Sequence, residues 1–92
     1  MASLRELTDY ADRLLRTSEI SDYCPNGLQV EGRAEVRRIV SGVTASLALL
    51  EAALAADADL VLVHHGYFWK GEDQRLVGMK GRRIRLLMRE NV

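Results

Sequence analysis

The stretch LVLVHHGYFWKG, residues 60–71, decides which fold the chain can adopt. Its first four residues are all apolar, which is typical of a parallel strand covered on both faces. Upstream, residues 36–43 predict another strand with several β-branched side chains, and residues 47–56 predict an Ala- and Leu-rich helix between the two strands. Strand, helix and strand within this length form a βαβ unit. We therefore predict an α/β fold, in which a mixed sheet containing this unit is flanked by helices.

Two further helices flank this unit. The first begins after Ser3, a good N-cap residue, and is expected to end near Ser18. The last covers residues 79–91. The apolar positions of the first helix are Leu4, Leu7, Ala11, Leu14 and Leu15. The last helix is expected to bury Ile84, Leu87 and Met88, and to expose Arg82, Arg85 and Arg89.

The connecting segments carry turn signals. Residues 21–27 predict a loop, because Pro25 disfavours helix at Cys24 and because Asn26 precedes a glycine. Residues 28–31 alternate apolar and polar side chains, which predicts a short edge strand. The chain stops after a helix, where an α/β fold continues with another strand. We therefore interpret residues 1–92 as a single α/β unit and as an N-terminal fragment of a longer metal-binding protein.

The composition indicates a globular protein whose net charge does not favour electrostatic binding of a charged partner. Thirteen basic and thirteen acidic residues give a net charge of zero, which argues against nucleic-acid or membrane binding and leaves self-association open. Cys24 is the only cysteine, as expected in a reducing compartment. No signal peptide and no apolar run of about 20 residues is present. We expect a cytoplasmic protein.

The strongest candidates for chemistry are His64 and His65, which close the second core strand. Ligands of open α/β sheets bind beyond the carboxyl ends of the strands, and imidazole is a common metal ligand. Successive strand residues point to opposite faces. Either the strand bends at Gly66 so that both rings reach one ion, or each histidine serves a different ion of a two-metal site. The alternative is that both are polar residues leaving the core.

Five other residues are candidates for substrate contact, each with a structural alternative. Asn26 and Gln29 line a pocket, or they form a tight turn that leads into an edge strand. Thr44 lies at a helix N-terminus that can hold an anion, or the role there is plain capping, by Thr44 or by Ser46. Tyr67 and Trp69 stack on a flat ring such as a purine, or they form a hydrophobic plug or a subunit contact.

Three separate segments resemble one known family. They are SDYCPNGLQVEG (residues 21–32), IVSGVTAS (39–46) and DLVLVHHGYFWKGE (59–72). Together they resemble the NIF-three-like family, whose bacterial YbgI-type members are labelled GTP cyclohydrolase I type 2 homologues. The resemblance covers nearly the whole chain. It implies α/β domains in a toroidal homohexamer, with two divalent ions per full-length subunit, which are zinc, iron, manganese or nickel.

The same resemblance implies roles for the histidines. His64 and His65 match the first two metal ligands of the family. The family's other ligands, an Asp in an H-x-x-x-D segment and a His and a Glu near the C-terminus, would lie beyond Val92. The implied activity is metal-dependent hydrolysis of a nucleotide-like substrate, of the GTP cyclohydrolase type. This chain supplies part of the ligand set and no assigned catalytic base, so alone it is expected to be inactive. The alternative is a non-catalytic metal-binding or protein-interaction module.

Overall fold

The computed structural model describes residues 1–92 as three α-helices and four strands. The elements in chain order are β1 (Ala2–Ser3), α1 (Leu4–Leu15), a 3-10 turn (Thr17–Glu19), β2 (Glu35–Val36), β3 (Ile39–Thr44), α2 (Leu47–Ala55), β4 (Leu60–His65) and α3 (Gly78–Glu90). Strands β3 and β4 pair in parallel, and β1 and β2 pair antiparallel in a separate sheet. The α/β fold class is confirmed, although the two kinds of pairing occupy two small sheets instead of one mixed sheet.

The unit β3–α2–β4 is the predicted βαβ motif. Its register pairs Ile39 with Leu60 and Thr44 with His65, so both strands end at the same edge. Helix α2 begins where the Ser46 hydroxyl accepts a hydrogen bond from the N–H of Leu49 at 3.2 Å. Gly42 permits close contact of this helix with the sheet, because a Cβ there would lie 2.6 Å from Leu49 Cδ2.

The core lies on one face of the parallel pair, beneath α2 and α3. Strand residues Val61 and Val63 pack against it. Of the expected stripe on α3, Ile84 and Leu87 are buried as predicted, whereas Met88 is 65% exposed and that prediction is wrong. The three arginines expected outside the stripe are exposed. The core cluster comprises Ala45, Leu50, Tyr67, Ile84, Leu87 and Val92.

The opposite face of the parallel pair is open within these 92 residues. Val43 is 65% exposed and Leu62 is 53% exposed, and they lie on adjacent strands. The expectation that the apolar strand is covered on both faces is therefore wrong for this chain. An apolar run predicts a strand, but only the surrounding elements decide how many of its faces are buried.

Asp59 explains why the strand predicted over residues 36–43 is divided. Its carboxylate accepts hydrogen bonds from the backbone N–H groups of Arg37 at 2.8 Å and Arg38 at 3.0 Å, and from the Arg33 guanidinium at 2.5 Å. The two backbone donors and then the guanidinium hold the pKa of Asp59 below its usual 3.8. Because these N–H groups are taken, Val36 pairs with β1 and the core strand starts later.

Residues 28–31 form no strand, contrary to the prediction. The segment is organised by side chains. Asn26 Nδ2 donates to the carbonyl of Ile20 at 2.9 Å, and Gln29 Nε2 donates to the carbonyl of Pro25 at 2.9 Å. These bonds fold the predicted loop back on itself, and the Gln29 side chain also bonds to the backbone of Tyr67.

Helix α1 starts as predicted and ends sooner. The Ser3 hydroxyl accepts a hydrogen bond from the N–H of Glu6 at 3.0 Å, which confirms the N-cap. The helix ends at Leu15 because Arg16 takes a left-handed conformation with φ of 52°, and a 3-10 turn follows. None of the three helices combines the length and the apolar character that a membrane span requires.

Candidate metal site

His64 and His65 are the last two residues of β4, at the edge where both parallel strands end. His64 is exposed and His65 is half-buried. Alternation places His64 on the open face with Leu62 and places His65 on the core face with Val63. The strand end thus presents one imidazole to solvent and one to the loop that follows.

The two imidazole rings lie close together despite this alternation. Their centroids are 4.4 Å apart, with 57° between the ring planes. Rings that extended straight outward from opposite faces of a strand would be farther apart, so the two side chains do not both extend in that way. This arrangement suits either one shared ion or two neighbouring ions, and both alternatives from the sequence stay open.

The candidate ligand set within the chain consists of two side chains. No group of three or more His, Cys, Asp and Glu side chains is placed to hold a metal ion. Stable zinc sites in proteins use three or four protein ligands. The chemistry of His64 and His65 fits part of a metal site, and the missing ligands would have to come from outside these 92 residues.

The backbone after the histidines turns sharply and is well bonded. The carbonyl of His65 accepts from the N–H of Ala45 at 3.0 Å. The carbonyl of Gly66 accepts from Trp69 Nε1 at 3.1 Å. The Tyr67 N–H donates to Gln29 Oε1 at 2.7 Å, and Gln29 Nε2 donates to the Tyr67 carbonyl at 3.0 Å. Hydrogen bonds to residues 65, 66 and 67 therefore fix the backbone that follows the histidines.

The two aromatic candidates occupy different environments. Tyr67 is 7% exposed in the core, and its hydroxyl donates to the carbonyl of Ala45 at 2.7 Å. Burial raises the pKa of Tyr67, an effect that Arg83 partly offsets, so the phenol keeps its proton. Trp69 is 38% exposed, and its ring centroid lies 5.8 Å from that of His65. The burial of Tyr67 fits the hydrophobic-plug alternative, and Trp69 is accessible beside the histidines, while stacking of either on a substrate ring stays a prediction.

The remaining candidates for substrate contact have structural partners or lie at the edge. Thr44 is exposed at the end of β3 and is aligned with His65. Ser46, and not Thr44, provides the side-chain cap of α2. The amides of Asn26 and Gln29 are bonded to backbone groups. Substrate contact by any of these residues stays a prediction.

A cleft of about 300 Å³ lies in the loop after β4, but it does not include the histidines. Lys80 from α3 closes one side of it. The Lys80 ammonium lies 3.4 Å from the Glu72 carboxylate, also donates to the Asp73 carbonyl, and lies 5.8 Å from the centre of the Phe68 ring. Lys80 thus links this loop to α3 through an ion pair and a hydrogen bond. The sequence of α3, which is rich in basic residues, did not predict this contact.

Comparison with known proteins places these observations in a family. The model of the Duf34/NIF3 (NGG1p interacting factor 3) family matches residues 2–92. A "GTP cyclohydrolase 1 type 2 homolog" from Pseudomonas aeruginosa is 64% identical over 90 residues, which is 98% of this chain and 36% of that protein. A protein of the same name from Vibrio cholerae is 66% identical over 73 residues, which is 79% of this chain and 29% of that protein.

The fold agrees with the sequence comparison. The structure of protein ybgI, described as of unknown function, matches 98% of this chain and 36% of its own, with a TM-score of 0.94 and 50% identity. A crystal structure of a Thermus thermophilus protein matches with a TM-score of 0.91 and 37% identity, over 99% of this chain and 38% of its own. The chain spans about a third of the length of the relatives it matches. On the match over residues 2–92, the chain belongs to the Duf34/NIF3 family.

Proposed function

We propose that His64 and His65 are two ligands of a two-metal hydrolase site that acts on a nucleotide-like substrate. The observation that carries the proposal is the pair of imidazole rings, 4.4 Å apart at the carboxyl end of a parallel strand. Family membership supports it, because relatives carry the name "GTP cyclohydrolase 1 type 2 homolog". Imidazole ligands suit zinc, iron and nickel, whereas manganese would depend more on carboxylate ligands.

This chain would supply two of the ligands and the side chains that lie beside them. Each neutral imidazole offers one nitrogen lone pair, and a lone pair that binds an ion cannot also accept a proton, so as ligands the histidines would not be general bases. Two bound divalent ions would lower the pKa of a water molecule so that hydroxide is available near neutral pH. Trp69 lies beside His65 with 32° between the ring planes, and its accessible face suits a flat base. Thr44 lies at the same sheet edge.

The predicted product follows from the substrate class. Hydrolysis of the imidazole ring of guanine consumes two water molecules, one to open the ring and one to release its carbon as formate. We propose to measure formate release from GTP by the polypeptide at its natural length, with and without added divalent metal. A variant carrying His64→Ala and His65→Ala is the control. No metal-dependent formate above that control would contradict the hydrolase proposal.

A non-catalytic module is the second candidate, and the ligand count favours it for this chain taken alone. No third possible ligand is placed with the two histidines, and the apolar residues Val43 and Leu62 on the open sheet face suit contact with another protein surface. Self-association, up to the homohexamer expected from the sequence, is the form of assembly we propose. Bound metal without formate release, in a particle of several subunits by light scattering, would favour this candidate.

A further inference from the structure

Three consecutive carbonyl groups fix the backbone that leaves the histidine pair. The carbonyls of His65 and Gly66 accept from Ala45 and Trp69, and that of Tyr67 accepts from Gln29. Two of these three donors are side chains and not strand neighbours. The direction of the chain directly after the two imidazoles is therefore set by side chains.

Gln29 contributes more to this turn than the other two donors. Its Oε1 accepts from the Tyr67 N–H at 2.7 Å, and its Nε2 donates to the Tyr67 carbonyl at 3.0 Å. The second hydrogen on Nε2 goes to the carbonyl of Pro25 at 2.9 Å. The side-chain amide thus bonds to both backbone groups of one residue, 38 positions away, as a neighbouring strand would.

Gly66 provides the space for this amide. A Cβ at position 66 would lie 2.9 Å from Gln29 Cδ and closer still to Oε1. Gly66 does not have a positive φ, so its backbone does not require glycine. The glycine after the histidines is needed because the amide of Gln29 packs directly against it.

We propose that Gln29 is a positioning residue that sets the separation of the His64 and His65 rings. By fixing both backbone groups of Tyr67, it holds the turn at Gly66 and the orientation of the strand end that carries the rings. The part of this inference that concerns metal binding rests on the proposed function, whereas the part that concerns ring separation does not. Gln29 acts through the backbone and does not touch the ion.

The test compares two identical changes in the chain's two glutamines. Gln29→Met keeps the side-chain length and removes the hydrogen bonds, and Gln74→Met makes the same change in the exposed loop. In metal-free protein, ring-to-ring NOE contacts between His64 and His65 report the separation. We expect Gln29→Met to lose these contacts, and Gln74→Met to keep them.

The second measurement is Cu²⁺ affinity, since Cu²⁺ binds nitrogen ligands most tightly among the first-row divalent ions. We expect Gln29→Met to raise the Kd for Cu²⁺ by about tenfold or more, which is typical of residues that orient metal ligands. The number of nitrogen couplings in the electron paramagnetic resonance spectrum should fall as well. A merely structural Gln29 would lower the melting temperature and leave the Kd unchanged at temperatures where the variant is folded.

Unchanged NOE contacts and an unchanged Kd in folded Gln29→Met would overturn the inference. If that variant does not fold, Gly66→Ala displaces the amide without removing it and is measured in the same way. Loss of folding in both variants also contradicts the inference, because Gln29 would then support the whole fold. Equal Cu²⁺ affinity of the wild type and the double His→Ala variant would refute the proposed function alone, while the NOE contacts would still decide the role of Gln29.

Discussion

Gly66→Ala should destabilise the protein only when Gln29 is present. The added Cβ would collide with the Gln29 amide, 2.9 Å from Cδ, and would push it away from the Tyr67 backbone. Two partly buried hydrogen bonds are at stake, and each contributes about 0.5–1.5 kcal/mol. Replacing glycine at a compatible backbone position recovers about 0.4–1 kcal/mol from the unfolded state. The net loss of unfolding free energy should be about 1.3 kcal/mol, within a range of about 0–2.6 kcal/mol.

A double-mutant cycle isolates this effect. In the background of Gln29→Ala the collision is absent, so Gly66→Ala should be neutral or should stabilise by about 0.4–1 kcal/mol. Urea denaturation followed by circular dichroism gives the four free energies. Since about 1 kcal/mol shifts the melting temperature of a domain this size by about 4–8 °C, thermal melts provide an independent check. Additive effects of the two substitutions would refute the proposed contact between Gly66 and Gln29.

Four further substitutions test the core, the open sheet face and the Asp59 site. Tyr67→Phe removes the bond to the buried Ala45 carbonyl and should cost about 1–2 kcal/mol in urea denaturation; no loss would mean the bond is not formed. Leu50→Ala should cost about 2–5 kcal/mol, whereas Leu62→Ala on the open face should change stability by less than about 0.5 kcal/mol; equal effects would contradict the assigned burial. The lowered pKa of Asp59 means that its ionised form stabilises the fold above pH 3.8, and that this stability is lost as the pH falls from 3.8 through the lowered pKa. Asp59→Asn should therefore flatten this part of the plot of unfolding free energy against pH. An unchanged plot would contradict the role of Asp59.

Local rules of sequence succeed where one element can be judged by itself. Ser3 and Ser46 are cap residues by type and position, and both accept the expected backbone hydrogen bond. The β3–α2–β4 unit also follows from periodicity, because a parallel pair with a helical crossover leaves few alternatives.

The failures arise where a distant side chain competes with the backbone. Asp59 takes the N–H groups that would have extended the strand toward residue 36. Gln29 lies between two apolar neighbours, as a strand residue would, yet its side-chain amide and not its backbone makes the hydrogen bonds to the Tyr67 backbone. No local pattern reveals that partners 22 or 38 positions apart will meet in this way.

The location of the candidate site follows from the sequence, but its shape does not. The two histidines stand out by their position at a strand end, and strict alternation would have kept their rings apart. The rings lie 4.4 Å apart, and we propose that the backbone after His65, which Gln29 and Trp69 bond and where Gly66 leaves room for the Gln29 amide, sets that separation. Tyr67 could not be assigned between core and pocket because its neighbour in the core, Ala45, is 22 positions away.

The most direct test of the central claim is the metal content of the polypeptide at its natural length. Elemental analysis of the purified protein should find two divalent ions per subunit in the wild type. The metal content should be markedly lower in the variant that carries both His64→Ala and His65→Ala. A variant lacking both imidazoles that retains the full metal content would show that the histidine pair does not bind the ions.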